Sequence, residues 1–309
     1  MTDAALILPE EDDLPPPPPP RSPGRELLIE LFRDKLALTG ILIVWVLAVL
    51  AFLAPLIAPQ DPYDLMQIDF MDSRLPPGAE SMTGMTFWLG TDDQGRDLFS
   101  AILYGLRTSI EVGILSAAIA LVIGASIGLV SAYAGGRTDA LLMRIVDLQL
   151  SFPAILIALI LLAILGQGVD KIIIALVVTQ WAYYARTVRG SALVERRRAY
   201  VDAARCQALP KRRIIFGHIL PNCLPPLIVV ATMRVAYAIM LEATLSFLGI
   251  GLPVTEPSLG LLISNGYTYL LSGDYWISVF PGIALVLLII GINLIGDTLR
   301  DLLNPRLRR

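Results

Sequence analysis

Six apolar runs, each close to the roughly 20 residues a helix needs to cross a bilayer, constrain this fold more than any other feature. They cover about 36–57, 106–133, 140–165, 171–190, 222–248 and 276–298. Backbone that enters hydrocarbon must satisfy its own hydrogen bonds, so the runs read as six transmembrane helices and the fold class as all-α. With 55% hydrophobic residues in 309 and a mean hydropathy of +0.68, this is a polytopic membrane protein and not a soluble domain. Charge sets the direction of threading. With the amino terminus inside, cytoplasmic segments collect four Lys and Arg before the first run, Arg137 and Arg144, nine from Arg186 to Arg213, and four from Arg300 onward. Only Arg74, Arg96, Arg107 and Lys171 then lie outside, so both termini are expected in the cytoplasm.

Around these runs the chain divides naturally. Residues 1–25 form an acidic tail with six consecutive prolines, Pro15 to Pro20, which read as a disordered, solvated linker. Residues 26–57 hold a short interfacial helix, with Leu27, Leu28, Leu31 and Phe32 on one side, and then the first span. The first apolar run begins near Leu36 and is too long for a cleaved leader. Residues 58–105 are external, and their seven aspartates, from Asp61 to Asp97, match no calcium-loop spacing and read as a solvated acidic surface. Residues 106–298 form a five-helix core, and 299–309 a cytoplasmic tail. One His and two Cys offer too few ligands for a metal site, and Cys206 and Cys223, both on the inner side, read as free thiols.

Within the core, small residues crowd the second span: Gly113, Ser116, Ala117, Ala118, Gly124, Ala125, Ser126 and Gly128. Such residues let backbones approach closely where lipid supplies no hydrophobic drive. The third span carries Arg144 and Asp147 one turn apart, read as mutually neutralising, and Pro153, expected to kink it. Arg234 and Glu242 lie inside the fifth span, where charge faces an interior or a water-filled path, so they are candidates for the translocation path or for a structural pairing with a neighbouring helix. Tyr275 and Trp276 are expected at the outer interface.

The most distinctive segment is the basic loop 191–221. Between Arg189 and Arg213 lie seven arginines and Lys211. Tyr200, Ala203, Ala204 and Ala208 recur at spacings of three and four, the pattern of one helix face, small enough for close docking. Pro210 can open a second helix, and Pro221 is expected to end it.

This loop resembles that of the permease subunits of bacterial ABC importers, which reads Glu-Ala-Ala, Gly after three residues, and Leu-Pro about a dozen later. Here Asp202-Ala203-Ala204, Ala208 and Leu220-Pro221 match. Ala208 stands where the family has Gly, and if the turn needs positive φ the loop should be remodelled. Four other stretches resemble the dipeptide and oligopeptide branch: APLIAPQDPY, WLGTDDQGRDLFSAILYG, RIVDLQLSFPAIL and LSFLGIGLP, with the GDTLRDLLNPRLRR tail besides. The resemblance covers about residues 30–309. It implies the type I ABC importer permease fold in the cell inner (plasma) membrane, a homologous second permease, two ATPase subunits carrying ATP and Mg, and an external peptide-binding protein. It also implies that Tyr200, Asp202, Ala203, Ala204, Arg205, Ala208, Leu220 and Pro221 couple to the ATPase, with Arg205 and Arg198 set against acidic rim groups or phospholipid.

Other classes find little support in the residues. The chain has no HExxH, GxSxG or P-loop motif, so energy must come from a partner and no cofactor is bound by this chain. An ion-driven transporter would need an internal repeat or several ionisable groups inside its spans. No nucleic-acid partner is expected. Relatives of this type also import nickel, glutathione or opine-like compounds, and no residue here separates those solutes from peptides.

Overall fold

The computed structural model describes residues 29–64, 66–81 and 84–303. The proline-rich tail, residues 26–28 of the interfacial segment and the arginines after Arg300 lie outside the described residues; residues 29–33 are helical. Helix α1, Lys35–Phe52, starts where Asp34 caps it, its Oδ1 accepting from the amides of Leu36 at 2.8 Å and Ala37 at 2.9 Å. After a single turn, α2 (Ala54–Ile57), the chain enters the external segment and a two-stranded hairpin, β1 (Ala79–Glu80) and β2 (Thr86–Phe87). Then come α3 (Leu98–Ala134), α4 (Gly136–Ser151), α5 (Ala154–Leu165) and α6 (Val169–Glu195). A short α7 (Ala199–Cys206) precedes α8 (Lys211–Phe247), α9 (Leu259–Tyr267) and α10 (Trp276–Leu303).

Among the described residues, α1, α3, α8 and α10 are each long and apolar enough to cross a membrane, and α4 with α5 makes a fifth if that bent pair is one span. The remaining run, α6, has 27 residues, enough to cross, but charged and polar side chains at both ends keep it from meeting the same standard of composition. Large apolar side chains such as Trp45, Val122, Ile160, Ile164 and Val286 are exposed on the helices, as hydrocarbon-facing surface should be.

The bundle closes through glycines that stand where a Cβ would collide. On α3, a Cβ at Gly124 would lie 2.3 Å from the Trp181 carbonyl oxygen, and one at Gly128 2.5 Å from that of Ala185. Gly124 and Gly128 therefore seat α6, and α3 with α6 is the most extensive helix contact among the described residues. Gly40 and Gly291 bring α1 onto α10 in the same way.

Four expectations are corrected. Pro153 does more than kink a helix: α4 and α5 meet at 89°, with Phe152 and Pro153 extended between them. Pro221 does not end a helix. Proline lacks an N–H and clashes with the carbonyl four residues back, but residues Ile215–Ile219 form a π-helical turn that widens the ladder, and α8 runs on through Pro221, Pro225 and Pro226. Asp147 pairs with Arg186 of α6 and not with Arg144, which is exposed. Trp276 is buried in the core at the start of α10, where its Nε1–H faces the Thr91 carbonyl at 3.4 Å; Tyr275 is the exposed member of the pair.

The external aspartates are a solvated surface only in part: Asp69 is exposed and Asp61, Asp64 and Asp93 are half-buried. Asp72, Asp92 and Asp97 are buried. Asp92 Oδ1 accepts from the amides of Gln94 and Arg96, both at 2.9 Å, and its Oδ2 accepts from Arg96 Nε at 2.7 Å. Asp97 caps α3, accepting from the Ser100 amide at 2.8 Å. Asp61, Asp64 and Asp69 cap turns. Among the described residues no three His, Cys, Asp or Glu side chains gather to hold a metal ion.

Candidate functional site

The loop after α6 folds back as α7, lying against the inner ends of three long helices. Val201 and Ala204 point inward and share one apolar cluster with Leu129 and Ala132 of α3, Val188 and Ala192 of α6, and Ile214, Ile219 and Cys223 of α8. Tyr200, Asp202, Ala203, Arg205, Cys206 and Gln207 face outward. The four positions singled out by spacing are therefore split: Tyr200, Ala203 and Ala208 are exposed, whereas Ala204 is only 5% exposed and seals α7 to its own chain. Cys206 and Cys223 are both free thiols, the first exposed and the second buried.

The end of α7 explains Ala208. The Leu209 amide donates to the Ala204 carbonyl at 3.2 Å and the Ala208 amide to that of Arg205 at 2.9 Å, the paired bonds of a Schellman motif. That motif puts Ala208 in the left-handed region with φ at 54°. Alanine here takes a left-handed conformation that glycine adopts more readily, against a steric cost of about 1–2 kcal/mol. Ala208→Gly should relieve that cost while adding about 0.4–1 kcal/mol of unfolded-chain entropy. We expect a net stabilisation of about 0.5–1 kcal/mol, measurable as slower amide exchange across α7 without loss of uptake.

A polar chain fastens the outer side of the loop. Tyr200 Oη donates to Glu195 Oε2 at 2.6 Å and accepts from Asn222 Nδ2 at 3.2 Å, tying the end of α6, α7 and the Leu220-Pro221 turn of α8 together. Burial, then the bond to Glu195, pushes the Tyr200 phenol up to about 12, so it stays a donor at neutral pH. Leu220 is half-buried against the apolar cluster and Pro221 is exposed. Asp202 pairs with Arg205 at 2.9 Å, an exposed i,i+3 contact worth about 0.2–0.5 kcal/mol. Both line a cleft of about 470 Å³ with Leu193, Arg196 and Arg197. Spacing alone did not single out Val201, Leu209, Glu195 or Asn222 as anchors, although Val201 and Ala204 sit at helical i,i+3 spacing.

The two charges inside α8 are not a pair. Glu242 is fully buried, accepting from Ser109 of α3 at 3.0 Å and Ser246 at 2.8 Å. This closes it off from water and makes it a tie between α3 and α8. Arg234 is half-buried, its guanidinium stacked 3.4 Å from the ring centre of Tyr183 on α6 and 5.2 Å from that of Tyr237.

Comparison with known proteins finds similar chains among transport permeases. Residues 120–309 match the family described as binding-protein-dependent transport system inner membrane component. Residues 22–77 match the N-terminal transmembrane domain of oligopeptide transport permease C. The dipeptide transport system permease protein DppC of Alkalihalophilus pseudofirmus is 37% identical over 292 residues, covering 93% of this chain and 91% of that one. The di/tripeptide transport system permease protein DppC of Pseudomonas aeruginosa is 36% identical over 288 residues, 93% of each. Among solved structures, a chain of the MetNI methionine ABC transporter in an inward-facing conformation superposes with a TM-score of 0.54 at 22% identity, over 65% of this chain and 96% of that one.

Proposed function

This chain belongs to the family of binding-protein-dependent transport system inner membrane components, and on that premise we propose that it forms half of the membrane pathway of an ATP-driven peptide importer. It is a transport component and not an enzyme. The peptide substrate rests on the names of its relatives together with the sequence stretches shared with that branch. Its expected partners are a homologous permease, two ATPase subunits that bind ATP and Mg, and an external peptide-binding protein. The assembly sits in the cell inner membrane, in contact with its lipid, with both termini of this chain in the cytoplasm.

The observation that carries the mechanism is the attachment of α7. On its outer face Asp202 and Ala203 are exposed, while Val201 and Ala204 bury its inner face in an apolar cluster shared with residues of α3, α6 and α8. A cleft in an ATPase subunit would take the outer face, with Asp202 and Ala203 against it. Closure of the ATPase dimer on ATP would then displace α7, and the shared cluster would pass that displacement to three spanning helices at once, shifting the balance between inward- and outward-open states.

Ala203→Trp tests this. It should leave insertion and thermal stability unchanged while lowering ATP-driven uptake at least tenfold and weakening co-purification of the ATPase. Normal uptake and normal ATPase retention in that variant would sink the docking role. Ala204→Trp is the wrong probe, since a bulky side chain there would disrupt the cluster itself.

A further inference from the structure

Arg234 lies at the centre of the spanning part of α8, about 20 Å along the axis from either Leu220 or Phe247. Charge at that depth calls for a partner, yet no carboxylate pairs with it among the described residues. Glu242, the only acidic residue of α8, is eight residues on, about 12 Å along the axis, and is engaged by Ser109 and Ser246. What holds Arg234 is aromatic: one guanidinium face lies on Tyr183, with Tyr237 beside it. Stacking on a ring neutralises nothing, and the half-buried guanidinium keeps N–H donors with no carboxylate to take them among the described residues. Two further polar groups on α6 lack partners among the described residues. Gln180 is fully buried with neither amide atom partnered, and Tyr184 is fully buried with its hydroxyl free of partners.

We propose that Arg234, oriented by Tyr183 and Tyr237, is the station in the translocation path that receives the carboxylate of the passing peptide. The inference rests on the peptide-importer reading and names the group by which this chain handles its substrate. A zwitterionic peptide entering a low-dielectric path needs a counter-charge for its α-carboxylate. A guanidinium without a carboxylate partner supplies that charge, and its planar fork can take a carboxylate in bidentate geometry. One cation with no second clamp also lets go, as a transport site must.

The test uses the complete importer in proteoliposomes, with a tripeptide supplied as free acid and as C-terminal amide. For each peptide, ATP-driven uptake by Arg234→Gln is divided by uptake of the unaltered complex, so that any preference of the external binding protein cancels. We expect at least a tenfold loss for the free acid, less than twofold for the amide, and an intermediate value for Arg234→Lys, which keeps charge but loses the planar stack. Equal ratios for the two peptides would overturn the assignment while leaving the importer intact. So would failure of Arg234→Gln to assemble when Arg234→Lys transports normally, because Arg234 would then be a structural charge paired to the second permease or to lipid. An unaltered complex that moves no peptide would remove the importer reading itself.

Discussion

Gly124→Val should unfold the core. Its new Cβ would lie 2.3 Å from the Trp181 carbonyl oxygen, 2.6 Å from Tyr184 Cβ and 3.0 Å from the Ala185 amide nitrogen. Two of those atoms are backbone, so no rotamer change makes room, and α3 must move off α6. Overpacking of this kind usually costs about 1–3 kcal/mol. Here the whole seam has to separate, and Gly128 one turn on meets the Ala185 carbonyl in the same register, so a loss above about 3 kcal/mol is expected. The readout is the fraction of chain that elutes as a folded species in detergent, together with its thermal midpoint. Gly190→Ala is the control, because nothing lies within 4 Å of a Cβ there. It should be neutral or stabilise α6 by up to about 1 kcal/mol. Equal behaviour of the two variants would show that the seam does not depend on bare backbone contact.

The second large effect is expected outside the membrane. Arg96 and Asp92 are 1% and 0% exposed, and Arg96 Nη1 reaches the Val254 carbonyl at 3.3 Å, so the pair clamps the external segment onto the turn after α8. Removing one partner leaves a buried charge uncompensated, at about 3–5 kcal/mol. Arg96→Met or Asp92→Leu alone should therefore destabilise the external segment severely. The double variant should be less damaging than either single one, since no lone charge is left behind. Limited proteolysis between Asp61 and Asp97 would report the order of stabilities. Strict additivity would mean that the two side chains act independently, against their contact at 2.7 Å.

Much of this architecture could be read in the chain. Apolar length gave the spanning elements, and small residues marked α3 as a close-packing helix without naming its partners, α6 at Gly124 and Gly128 and α8 at Gly113. Asp202, Ala203 and Ala208 stand in the loop that their spacing defined. What could not be read depended on partners distant in sequence. Asp147 has an arginine three residues away, but Arg186, 39 residues on, has the reach. Whether aspartates in a polar loop are solvated or buried depends on Arg96 and Ser100 closing over them. The spacing of Tyr200, Ala203, Ala204 and Ala208 correctly implied a helix but not which side of it would be covered, because Val201 contributed the anchoring bulk. Helix α9 was missed although Ser258 caps it, its Oγ accepting from Leu261 at 3.1 Å; nine residues are too few to register as an apolar run.

The wide turn at Ile215–Ile219 has a geometric consequence. A π-turn stores one surplus residue in an otherwise regular screw, and each residue of that screw corresponds to about 100°. Should the surplus be squeezed out, everything beyond it would swivel by that angle, and should it slide along the rod past Arg234 and Glu242, the residues it passes would swivel instead. A tug at Lys211 would in this way be converted from sliding into turning.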